Sequence, residues 1–123
     1  MKRLGRSFVM LVLAVSSAAA APLVPRAVLK PTTGGVLVEA ALSNVGEGDV
    51  LTGVWTANAK ANLLECAPRC RVVASVPLSV GTTLGARTRF RVVLGGRFRL
   101  GQKVGLLFSF RGRVAAVEAT VTR

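Results

Sequence analysis

The chain has 123 residues, a formal net charge of +12, two cysteines and neither histidine nor tyrosine. Without histidine it lacks the usual general base near neutral pH and the usual metal-ligating imidazole. That composition excludes most hydrolase, nuclease and zinc-enzyme chemistries, and no catalytic constellation is expected.

The N-terminus reads as an export signal. Lys2, Arg3 and Arg6 precede an apolar run at 8–15, and Ser16-Ser17-Ala18-Ala19-Ala20 supplies small residues for cleavage after Ala20. The run is shorter than the ~20 residues that a membrane-spanning helix needs. The expected mature protein is a single domain over 21–123, periplasmic or secreted, with no stable membrane span. Met1 and Met10 leave with the signal, and loss of three cations takes the net charge from +12 to +9. Glu39, Glu47, Asp49, Glu65 and Glu118 are its only acids. An exported domain of this charge suits an anionic surface or acidic partner and not nucleic acid, for which stacking aromatics are also few.

Short β-branched runs separated by glycine, proline and acidic turns predict an all-β sandwich or barrel of seven or eight strands. The first strand is expected at 23–30, stopped by Pro31 and the turn at 32–35. Val36, Val38, Ala40 and Leu42 alternate through the second strand. A turn at 44–49 leads to a third strand at 50–56, which carries Trp55, the only tryptophan. Next comes a hairpin with arms at 61–65 and 71–76 around Cys66 and Cys70, followed by a connection at 77–85. Thr88, Phe90 and Val92 then alternate with Arg87, Arg89 and Arg91, predicting a strand whose outer face is a ladder of three arginines. A terminal hairpin turns at Arg111-Gly112, with Ala115, Val117, Ala119 and Val121 pointing inward.

Some segments are similar to a known family. Ala27-Val28-Leu29-Lys30-Pro31, the strand ending Ala41-Leu42-Ser43-Asn44-Val45-Gly46, and Asp49-Val50-Leu51-Thr52-Gly53-Val54 resemble the PCu(A)C periplasmic copper chaperones. So do Val93-Leu94-Gly95-Gly96 and Phe98-Arg99-Leu100-Gly101-Gln102-Lys103-Val104. The resemblance implies a cupredoxin-like (Ig-like) β-sandwich. It also implies a role in handling or delivering Cu(I) to a periplasmic copper-site assembly protein. The family holds copper with His and Met, soft ligands suited to a soft ion. Its first histidine falls here at Leu64 or Glu65, and its His-x-Met pair at Phe90 and Val92, so the matching positions carry substitutes.

Cys66 and Cys70 are the only sulfurs of the expected mature chain, and three readings stand open for them. Exported cysteines in even number ordinarily form a disulfide. Reduced, the pair would hold Cu(I), and Arg69 and Arg71 beside it would lower a thiol pKa and favour thiol-disulfide exchange. The non-metal reading is docking of an anionic partner or surface through Arg87, Arg89 and Arg91.

Overall fold

The computed structural model describes residues 23–123; the expected signal peptide and its cleavage site at Ala20 lie outside the described residues. Within them the chain is all-β, with no helix. The strands are β1 (Arg26–Thr32), β2 (Gly35–Ala41), β3 (Val50–Trp55), β4 (Asn62–Cys66), β5 (Cys70–Val73), β6 (Val76–Pro77), β7 (Thr83–Leu84), β8 (Phe90–Gly95), β9 (Lys103–Phe110) and β10 (Arg113–Val121). The two strands beyond the expected eight are the two-residue β6 and β7.

All ten belong to one hydrogen-bonded sheet in the order β5-β4-β8-β2-β1-β10-β9-β3-β6, with β7 also on β2. Pairings are antiparallel except that of β1 with β10. The sheet curls back on itself: Ala61 N–H donates to the Val54 carbonyl at 2.8 Å, and Trp55 bridges Lys60. These contacts bring the two flanks together into one nearly closed domain, with the apolar faces enclosed.

The period-two pattern explains the core. Leu29, Val36, Val38, Leu51, Val92, Leu94 and Phe108 are shielded almost completely, and no polar or charged residue of the described chain is buried. In β10 Ala119 and Val121 are buried, Ala115 and Val117 pack against the core, and Glu118 is exposed. The β9–β10 hairpin turns on Arg111-Gly112 as expected, and Gly112 takes φ 80°, which a side chain would disfavour.

Three boundaries differ from expectation. Pro31 does not stop β1 but pairs with Val36, because β10 hydrogen-bonds β1 only around Val28 and Leu29 and no neighbour requires the missing N–H. β5 ends at Val73; Val76 is fully buried and crosses to pair with Leu51 of β3, at the sheet edge, where Pro77 is tolerated. β8 starts at Phe90, so the expected three-arginine strand ladder does not form. Thr88 Oγ1 accepts from Gly85 N–H at 3.0 Å and donates to the Phe90 carbonyl at 2.7 Å, closing a turn that holds Arg87 outside the strand.

Candidate functional site

The β4–β5 hairpin sets Leu64 opposite Val72, Glu65 opposite Arg71 and Cys66 opposite Cys70. Only Ala67, Pro68 and Arg69 make the turn, with Ala67–Pro68 cis. The directly opposed cysteines, with Cα atoms 3.8 Å apart, form a disulfide. Of the three readings open for this pair, the disulfide is the state seen, and no thiol remains free among the described residues.

On its other side β4 pairs with β8, placing Leu64 opposite Arg91 and Glu65 opposite Phe90. Two of the places where the resembling family carries ligands, Leu64 or Glu65 for the first histidine and Phe90, therefore gather beside the disulfide. Val92 does not join them; it is fully buried, opposite Leu63. Phe90 is half-buried under the Arg89 guanidinium, 5.2 Å from the ring centroid. No group of three or more His, Cys, Asp or Glu that could hold a metal ion occurs among the described residues.

Glu65 is the hub of this end. One carboxylate oxygen accepts from Arg71 at 2.6 Å; the other accepts from Arg89 Nε at 2.8 Å and also from Arg89 Nη2. The two arginines arrive from opposite neighbours, Arg71 across β5 and Arg89 just before β8, and cover a carboxylate left 14% exposed. The Arg71 hydrogen bond first, then that of Arg89, hold the Glu65 carboxyl below the ordinary glutamate range. Because the folded-state value is depressed, the clamp stabilises the hairpin fully above ~4.3, the unfolded value, and loses that stabilisation as pH falls through the folded value. Denaturant midpoints of wild type and Glu65→Gln are thus expected to differ at pH 7 and to converge on acidification below the glutamate range. A gap that stays constant down to pH ~2 would show that the clamp contributes nothing to stability.

The other arginines here keep their charge unanswered. Arg91 Nε donates to the Thr88 carbonyl at 2.8 Å, and its Nη1 lies 4.0 Å from Cys70 Sγ. Arg69 and Arg87 are exposed and make no ion pair among the described residues. Five arginines (Arg69, Arg71, Arg87, Arg89, Arg91) thus surround one end of the sheet with Glu65 the one carboxylate ion-paired there. Asp49 pairs with Arg113 elsewhere, at 3.1 Å.

The cysteines and Arg87, Arg89 and Arg91 stand out in the sequence, whereas Glu65 stands there as one of five acids and as a substituted ligand position. The signal for its role was present: Glu65 and Arg71 each stand one residue outside a cysteine, so pairing Cys66 with Cys70 sets them opposite. Arg91 beside the sulfur was hidden, because the β4–β8 pairing is non-local.

The chain matches no family model and no curated protein.

Proposed function

We propose that this protein is an exported, non-catalytic binding module that docks an acidic protein partner on the arginine-rich end around Cys66–Cys70. The observation that carries this reading is the charge inventory there: five arginines, one ion-paired carboxylate, and no ion pair to Arg69, Arg87 or Arg91 among the described residues. Arginine suits the task because its planar fork grips carboxylates in a bidentate fashion. The Glu65 clamp and the β4–β8 pairing hold the hairpin that presents these side chains, which lowers the entropy lost on docking.

A polyglutamate peptide serves as the probe. Changing Arg69, Arg87 and Arg91 together to glutamine is expected to weaken its binding about tenfold at low salt, taking each exposed contact as somewhat under ~0.5 kcal/mol. Added salt should erase the difference. Changing Arg26, Arg111 and Arg123 to glutamine removes the same net charge elsewhere and should have a much smaller effect. Equal losses from the two triple variants would mean that net charge, not this end, attracts the peptide.

A second reading, Cu(I) handling, is favoured by one feature: the cysteines face each other on adjacent strands, so reduction would leave two thiols on one exposed tip. Two thiolates suffice for a linear Cu(I) site, with the copper as cargo for an assembly partner. A third reading, thiol-disulfide exchange, draws on the same exposure and on Arg91 near Cys70 Sγ.

A further inference from the structure

The face of β3, β9 and β10 turned away from the core carries two adjoining hollows that share Thr56, Ala57 and Gly105. The first, about 490 Å³, is floored by Trp55, Leu107 and Ala116. The second, about 430 Å³, lies between the turn of residues 56–59 and the β8–β9 connection, and takes in Arg97 and Lys103 with no carboxylate in its lining. Neither cation makes an ion pair among the described residues. Glu118 is exposed at the rim of the apolar hollow, cross-strand from Gly105. The groove lies at the Asn62 end of β4, away from the disulfide at its Cys66 end.

Two glycines shape this groove. At Gly53 an added Cβ would lie 2.3 Å from the Trp55 ring, so the glycine lets the indole lie against the sheet. Gly105 is different. It sits inside β9 without a positive φ, and an added Cβ would meet nothing within 4 Å. Neither backbone conformation nor packing requires a glycine there, although glycine weakens a strand interior, and the open space above it leaves room for a ligand to approach the backbone. With Thr56 and Ala57, it lines both hollows.

We propose that this groove binds one molecule of a phosphate-headed amphiphile. Its apolar body would lie on Trp55, Leu107 and Ala116, and its phosphate at Arg97 and Lys103. The charge complementarity is local: Arg97 and Lys103 line one hollow without a carboxylate, while the other is mainly apolar, with Glu118 in its lining and the Lys60 ammonium 5.3 Å from the centroid of the Trp55 ring. Both hollows are open to solvent, and their volumes fall within the ~300–1,000 Å³ of small-molecule sites, enough for one short-chain molecule.

Trp55 is the sole tryptophan of the chain, so its emission reports on the groove directly. Titration of the purified protein with dihexanoyl phosphatidylglycerol, kept below its micelle-forming concentration, is expected to shift that emission saturably. 1,2-Dihexanoylglycerol, which lacks the phosphate, should bind at least about tenfold more weakly, the worth of one charge-assisted contact. Arg97→Gln combined with Lys103→Gln should cost about the same factor. Gly105→Val should abolish binding while leaving the unfolding midpoint at or above that of wild type, because valine suits a strand. Should that variant fold poorly, the exposed Arg97/Lys103 pair of changes decides alone. The proposal is overturned by absence of a saturable shift, by equal affinity for dihexanoylglycerol, or by a response to inorganic phosphate alone or to phosphatidylglycerol vesicles alone. Undiminished binding by a folded Gly105→Val protein would overturn it as well.

Discussion

Replacing Phe108 by alanine is expected to lower the unfolding free energy by about 3–5 kcal/mol, the range for a buried phenylalanine whose cavity relaxes only in part. Phe108 is 0% exposed and the largest of the fully buried side chains. It stands in β9 opposite Val54 of β3 and Ala115 of β10, so the loss falls where three strands are joined. Set against the ~5–15 kcal/mol that stabilises an ordinary domain, the change removes a large share of the total. Leu107, its neighbour in sequence, is 41% exposed on the opposite face. Leu107→Ala should therefore cost less than ~1 kcal/mol, because much of that side chain stays in water when the protein folds. Urea unfolding of the two variants measures the difference. Similar losses, or a larger one at Leu107, would mean that β9 is displaced by one residue, since such a slip exchanges the two faces.

The sharpness of that contrast comes from the same alternation that made the fold class legible. Buried Val36, Val38 and Ala40 in β2, and Ala119 and Val121 in β10, stand where the period-two pattern puts them, since each strand faces one enclosed core. The pattern failed where the chain leaves one neighbour for another. Val73 and Val76 look like one strand arm, yet they pair with different partners, because two residues suffice to cross from β5 to β6. Thr88 looked like the inward member of an alternating strand; its hydroxyl instead bonds to Gly85 and Phe90 and turns the chain. A hydroxyl's preference for local backbone partners is a weaker sequence signal than hydrophobic alternation.

The candidate site was legible in part for the same reason. Cys66 and Cys70 could be placed from spacing alone, because a short hairpin brings positions four apart face to face. The arginines could be named but not arranged. Arg89 and Arg91 reach the hairpin through the pairing of β4 with β8, some twenty-five residues apart in sequence, and local pattern carries no information about such a partner. That pairing divides the five arginines into two groups. Arg71 and Arg89 are held by Glu65, whereas Arg69, Arg87 and Arg91 make no ion pair among the described residues.

Removing the disulfide, by reduction or by Cys66→Ser with Cys70→Ser, is expected to lower stability by about 2 kcal/mol, the loop-closure entropy of so short a ring. The loss is smaller than at Phe108, yet this experiment separates the functional readings. In the oxidised protein the two sulfurs are bonded to each other, so it should take no more Cu(I) from a competing chelator than the double-serine variant takes. The reduced protein should take up one Cu(I) per chain if the copper reading holds, since two thiolates complete a linear site. Reduced protein that binds copper no better than the double-serine variant ends that reading. The docking reading makes the opposite demand on the same samples. Arg91 is positioned by the β4–β8 ladder and by its bond to the Thr88 carbonyl, and Arg87 precedes β8, so neither needs the sulfur bond; of the three, Arg69 alone stands in the ring that it closes. Polyglutamate binding should therefore survive in all three samples, within about threefold at equal salt, a change of under ~1 kcal/mol. If binding instead collapses in double-serine protein that remains folded, the arginines alone do not make the surface, and the hairpin tip closed by the disulfide is itself part of what the partner grips.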